Sequence, residues 1–236
     1  LELGLVDATA VDRAASLERA LDLGSSLATG ERERRLSLAR EQGERDLANG
    51  YLDIPTDGMA IGACTVLTVL DTGTWMFGKP AVVSAVAGVG VAGPAHVLNI
   101  EREAELSGPL HDKGVLSLTG YLIDRFGRDG VLCVQATVCV DQVYGGIDGD
   151  SASSAELFAL LSSLAAVPLR CDLAVTGSVT QRGAIQSVGG VNEKIEGWFR
   201  LCRARGLTGR QGVVIPRSNV DDLQLGEEVC AAVAAG

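Results

Sequence analysis

Apolar positions recur with different periods along this chain, and each change of period marks a new kind of element. Residues 1–50 are charge-rich and helix-forming: Leu17, Ala20 and Leu21 make a short stripe, and Glu31-Arg32-Glu33-Arg34-Arg35 reads as a solvated helix face. Large apolar side chains are too few there for a core, so the segment is expected to pack on other structure. From Tyr51 to Ile100 the runs become short and β-like, Ala63 to Leu70, Ala81 to Ala87 and His96 to Ile100, separated by Gly, Pro and Asp. They predict a twisted antiparallel sheet. Gly114 to Phe126, with Leu116, Leu118, Leu122 and Ile123, predicts a helix, and Val131 to Val140 a strongly β-prone strand.

The clearest helix follows Ser151, where Leu157, Leu160, Leu161 and Leu164 fall at i, i+3, i+4 and i+7. Ser153 and Glu156 have the spacing of a capping box, and Pro168 stands beyond its end. A strand from Asp172 to Thr176 and a glycine-punctuated turn from Gly183 to Gly190 lead to a helix from about Asn192 to Arg205. Gly212 to Ile215 predicts a last strand, and Glu227 to Ala235 a last helix. The fold class is therefore α+β passing into α/β, an antiparallel sheet followed by alternating strands and helices. Two segments are expected: a helical 1–50 and a main domain over 51–236.

Composition narrows the function classes. A net charge of −10 and a pI near 4.7 argue against a nucleic-acid surface, which needs clustered positive charge. The stretch from Pro80 to Ile100 lacks Asp and Glu and holds no Lys or Arg, but Gly88, Gly90, Gly93 and Pro94 break it, so it reads as two strands and a turn rather than a membrane span. The cysteines, Cys64, Cys133, Cys139, Cys171, Cys202 and Cys230, form no CxxC pair, and with only His96 and His111 beside them no zinc pattern assembles. They are expected to be reduced core residues of a cytoplasmic protein. The chain opens on Leu1 with no secretory signal pattern, as a segment of a longer product would.

Several motifs carry candidate chemistry. Gly88-Val-Gly-Val-Ala-Gly93 matches GxGxxG in letters, but Pro94 and the β-like His96-Val-Leu98 follow it instead of a helix, so it is read as a turn. No GxxxxGK[ST] sequence is present, so no P-loop is expected. Gly149-Asp-Ser-Ala-Ser153 approximates a nucleophile elbow, yet both histidines precede Ser151, which excludes the α/β-hydrolase order. A chymotrypsin-like order of His111, Asp141 and Ser151 stays open, although His111 sits in a Gly-Pro-Leu-His segment that reads as a surface turn. Positive charge is almost all arginine: of the 20 Lys plus Arg, only Lys79, Lys113 and Lys194 are lysine. Arginine cannot serve as a base at neutral pH, so Lys194, 43 positions after Ser151, is the candidate partner for that serine.

Asp148-Gly-Asp-Ser-Ala-Ser153, Asp172-Leu-Ala-Val-Thr-Gly177 and Gly189-Gly-Val-Asn-Glu-Lys194, with Asn99-Ile-Glu-Arg-Glu-Ala104 and Gly114-Val-Leu116 upstream, together resemble the proteolytic domain of the Lon proteases, the S16 serine-lysine peptidases, and specifically its Lon-B-like branch. The resemblance runs from about Tyr51 to the C-terminus. It implies Ser151 as nucleophile, Lys194 as general base and Thr176 as the hydroxyl that holds the lysine; beside it, the residues leave open whether Asp148 and Asp150 only shape the loop or Asp148 switches the pair. It departs from the better-known branch in having Thr137 and Cys139 where a His-x-His segment stands, and Asp141 where Glu is frequent.

The resemblance further implies a homo-hexamer that cleaves unfolded polypeptides, fed by an AAA+ ATPase module on the N-terminal side. ATP and Mg²⁺ would belong to that module, and no cofactor, metal, nucleic acid or membrane is expected at this chain. Residues 1–50 would be a remnant of the module's helical lid or a cap of the peptidase domain. A free lysine has a pKa of about 10.4 and must fall to about 7 to 8 to act as base, which burial can supply; Val191, Ile195 and Trp198 are the expected apolar wall. Asp148 is a candidate resting partner of the Lys194 amine. The rival reading is a non-catalytic scaffold of the same fold, its serine and lysine never correctly arranged.

Overall fold

The structure, a computed structural model, describes residues 30, 34, 52–71, 76–89, 96–128 and 132–235. The chain divides into two compact units, Leu1–Asn49 and Gly50–Gly236. In the first, Gly30 and Arg34 are described and both are helical. The Leu17–Leu21 stripe, the rest of the expected 1–50 helical segment and the turn after Val89 lie outside the described residues.

The second unit is built on a six-stranded sheet. Its strands in chain order are β2 (Ala63–Asp71), β3 (Met76–Val89), β4 (His96–Asn99), β5 (Val134–Asp141), β7 (Leu173–Val175) and β10 (Gly212–Val214), and their order across the sheet is β10-β7-β2-β3-β5-β4. Two short strand pairs flank it: β1 (Met59–Ala60) with β6 (Leu169–Arg170), and β8 (Ser178–Val179) with β9 (Ile185–Gln186), both antiparallel. The helices are α1 (Ile100–Glu103), α2 (Pro109–Phe126), α3 (Ser153–Ala165), α4 (Val191–Arg205) and α5 (Glu227–Ala235), with a 3₁₀ turn over Arg217–Asp222.

Side chains of a strand alternate between faces, and here both faces are covered. Cys64, Val66, Ala81, Val83 and Ala85 form one buried cluster with Val115, Leu118 and Leu122 of α2 and Ala155, Ala159 and Leu160 of α3. The opposite face carries Gly78, and there α4 lies against β3 so closely that a methyl on Gly78 would collide with the Glu193 carbonyl. One on Gly197 would sit 2.5 Å from the Gly78 oxygen. Two glycines at the crossing let the backbones touch, which fixes where the first turn of α4 delivers Lys194.

The structure corrects several expectations. The Tyr51–Ile100 sheet is antiparallel only between β2 and β3; β4 pairs with β5 and runs parallel to it. The expected strand through Ile100 ends at Asn99, whose side-chain oxygen accepts from Glu101 N and so caps α1. The helix expected from Gly114 begins at Pro109, a proline in the first turn where its missing N–H costs nothing. The parallel additions β7 and β10, by contrast, follow the expected strands, and Glu227–Ala235 is helical over the expected span. No helix among the described residues is long and apolar enough to cross a membrane.

Candidate active site

Ser151 lies in the turn that opens α3. Gly149, at φ +94°, takes a backbone conformation that side chains resist, and the turn closes with Ser153 N and Ser153 Oγ both donating to the Asp150 carbonyl, at 3.1 and 2.8 Å. The expected capping box is absent: Ser153 Oγ instead accepts from Val179 N at 2.9 Å, and Glu156 turns into the core. The link between β7 and β8 stitches the turn in place, because Gly177 N donates to the Ser151 carbonyl and Ser154 N to the Gly177 carbonyl.

Lys194 comes from the first turn of α4 and is 2% exposed. Its Nζ donates to Ser151 Oγ at 2.9 Å and to Thr176 Oγ1 at 3.2 Å. Thr176, also buried, donates its own hydroxyl proton to the Ser151 carbonyl at 3.2 Å, so toward Lys194 it can only accept. Ser151, Thr176 and Lys194, separated in sequence by 25 and 18 residues, thus converge on one point. Burial pushes the Lys194 amine down from 10.5 to about 8, against a weaker upward pull from the Asp150 carboxylate.

The two aspartates have different places. Asp148 Oδ1 accepts from Leu110 N at 2.9 Å and His111 N at 3.2 Å, capping α2, whose own N-cap residue Gly108 has no side chain to do so. Those amides and that of Gly149 hold its carboxyl below the usual carboxylate range, the Gly149 bond contributing most. The carboxylate that acts on Lys194 is Asp150, not the expected Asp148. Asp150 Oδ2 accepts from Ser178 Oγ at 2.8 Å, a partner that sequence reasoning missed. The residues expected to wall Lys194, Val191, Ile195 and Trp198, are all buried, and the first two cluster with Val229 of α5.

His111 is 1% exposed in α2, not in a surface turn. Its Nε2 faces Glu156 Oε1 at 2.8 Å and its Nδ1 faces Asn99 Nδ2 at 3.3 Å, so both ring nitrogens are committed away from Ser151. Asp141 accepts from Ser84 Oγ at 2.7 Å. The chymotrypsin-like arrangement of His111, Asp141 and Ser151 is therefore not assembled. Burial alone would push His111 down, but Glu156, Glu101 and Asp112 together raise it above its ordinary value.

The cysteines are unpaired; Cys64, Cys171 and Cys202 are buried, whereas Cys230 is exposed and not the core residue expected. Burial pushes the Cys64 and Cys202 thiols up to about 12, which makes them inert at neutral pH. Beside the serine loop an open cleft of about 580 Å³ is lined by Leu106, Ser107, Gly108, Tyr144, Ile147 and Asp148 among others.

A serine hydroxyl at a helix entrance, bonded to a buried lysine amine on a mixed α/β domain, is the class of arrangement found in peptidases that work without histidine. Residues 125–234 match the family described as the Lon protease (S16) C-terminal proteolytic domain. The chain is 40% identical over 208 residues, 87% of its length, to a Lon protease homolog of Escherichia coli (strain K12), and 40% identical over 199 residues to one of Haemophilus influenzae. A shorter match, 43% over 82 residues and 35% of the chain, joins it to an archaeal Lon protease of Methanocaldococcus jannaschii. The chain belongs to the Lon protease (S16) family. It spans about a third of the length of the two bacterial relatives, 35% and 33%.

Proposed function

We propose that this chain is a serine endopeptidase domain in which Ser151 is the nucleophile and Lys194 its general base. The observation that carries the reading is the buried Lys194 amine, 2.9 Å from Ser151 Oγ and brought down to about 8. At pH 7.4 such an amine is neutral in about one molecule in five, against roughly one in a thousand for an ordinary lysine. Thr176 Oγ1 accepts a hydrogen bond from one amine N–H, which leaves the lone pair of the neutral amine for the Ser151 proton. The alkoxide then attacks a peptide carbonyl, Lys194 returns the proton to the leaving amine, and water repeats the cycle on the acyl-enzyme.

The first N–H groups of a helix have no intrahelical acceptor, so the amides where α3 opens are the natural site for the oxyanion, helped by the helix dipole. The cleft along Leu106, Tyr144 and Ile147 ends at the same loop and is the surface on which an extended chain would lie. On this reading the substrates are unfolded or damaged polypeptides, the working form is a cytoplasmic homo-hexamer, and an AAA+ module elsewhere in the full-length protein uses ATP and Mg²⁺ to feed it. The likeness to the archaeal relative supports the Lon-B-like branch.

A fluorophosphonate probe, which reacts only with activated serine, tests the reading on the purified chain. Labelling of the wild type that is lost in both Ser151→Ala and Lys194→Met supports a working dyad. Equal labelling of all three favours the scaffold reading.

A further inference from the structure

We propose that Ser178 is a positioning residue of the Ser151–Lys194 pair, its hydroxyl holding the Asp150 carboxylate at a fixed stand-off from the lysine amine. The inference rests on the dyad reading above and goes beyond it. Asp150 is the residue before Ser151, and its backbone is pinned: the carbonyl accepts from Ser153 N and Ser153 Oγ. Gly114 of α2 lies so near that a methyl there would be 3.4 Å from both Cα and Cβ of Asp150, so the helix backs the aspartate closely. The carboxylate itself has a different tie, the 2.8 Å bond from Ser178 Oγ, and Ser178 is 4% exposed.

Other charged groups near the amine are disposed elsewhere. Asp148 is engaged by the amides of α2; on α4 itself Glu196 pairs with Arg200; on α5 Glu228 pairs with Arg203. Arg205 of α4 donates to the Ile54 and Leu52 carbonyls, and Glu193 of α4, Asp71 of β2, Lys79 of β3 and Glu227 of α5 are the remaining charged residues on those four elements. Among the described residues, Asp150 is the charged group that acts on Lys194. A half-buried carboxylate deprived of its hydroxyl donor is drawn toward a nearby cation, and the cation that feels Asp150 is Lys194. Direct pairing would charge the amine and draw it off Ser151. The Ser178 bond keeps the acid close enough to steady the protonated amine and too occupied to capture it.

The chain's lysine count makes the test clean. With ¹³C-labelled lysine, Lys79, Lys113 and Lys194 give three Cε signals, and Lys194 is identified by its loss in Lys194→Met. The expected Lys194 midpoint is near 8 in the wild type. In Ser178→Ala it rises by about half a unit or more, whereas Ser178→Thr, which restores the hydroxyl, leaves it in place. Asp150→Asn lowers the midpoint, and Ser178→Ala added to Asp150→Asn produces no further change. The proposal is overturned if Ser178→Ala leaves the midpoint where it was, or if it shifts it equally with and without the Asp150 carboxylate, as a packing effect would. Fluorophosphonate labelling of the same samples reads the dyad separately: an unlabelled wild type sinks the peptidase reading while the titration still decides the role of Ser178.

Discussion

Glu156 and Ser151, near neighbours at the start of α3, each meet a buried base, His111 in one case and Lys194 in the other. His111 and Glu156 are 1% and 2% exposed, with opposite charges available 2.8 Å apart and Asn99 on the far ring nitrogen. Lys194 is just as deeply buried, yet its direct partners are two hydroxyls, and no carboxylate among the described residues bonds to it. Burial raises the cost of charge in both places. The histidine cluster meets that cost with acidic neighbours, whereas the lysine holds its proton more weakly. A compensated pair is costly to break, whereas an amine without a bonded carboxylate costs stability and, on the proposed reading, is held ready for chemistry.

The comparison breaks first at Ser151. Ser151→Ala should reduce cleavage of an unfolded polypeptide by at least about a thousandfold while leaving the melting temperature nearly unchanged, measured by peptide release and thermal scans. His111→Ala should do the reverse kind of damage, costing about 3 kcal/mol in urea unfolding because Glu156 is left as a buried unpaired charge. Gly197→Ala should cost about 2 kcal/mol, since its methyl would press on the β3 backbone and push α4 off the sheet.

Lys194→Met should abolish probe labelling and yet gain about 1 to 2 kcal/mol at pH 7. The depressed amine represents a penalty of about 3 kcal/mol there, and the hydrogen bonds lost to Ser151 and Thr176 return part of it. The smallest effect expected is one of sign with pH. Lys194 is lowered in the folded state, so the wild type should gain on Lys194→Met as pH climbs from about 8 toward about 10.4, where the unfolded lysine also loses its proton. His111 is raised, so its contribution is full below about 6.5, and the advantage of wild type over His111→Ala should shrink as pH rises through the folded value. Denaturant unfolding of the three proteins from pH 6 to 10 measures both slopes.

Much of the site could be read before any coordinates, for a physical reason: its parts are bound to local grammar. Ser151 stands where a β-prone run gives way to the clearest helix, and Lys194 is one of three lysines in an arginine-rich chain, four residues after the Gly190 that opens α4. The histidine cluster had no such grammar. His111 and Glu156 are 45 residues apart, and the Ser153–Glu156 spacing pointed to a cap that the loop chemistry overrides. The direction of β4, the capping of α2 by Asp148 across 38 residues and the bond from Ser178 to Asp150 are likewise long-range pairings, which periodicity within a segment does not encode.

The central claim is that Lys194, lowered enough to be neutral in about one molecule in five at pH 7.4, is the base for Ser151. The most direct measurement is the rate of fluorophosphonate labelling of Ser151 in the purified chain from pH 6 to 10, with Lys194→Met alongside. The account predicts a rate that rises with pH through a midpoint near 8 in the wild type and is lost in Lys194→Met. A rate flat across that range, or one that survives in Lys194→Met, would contradict it.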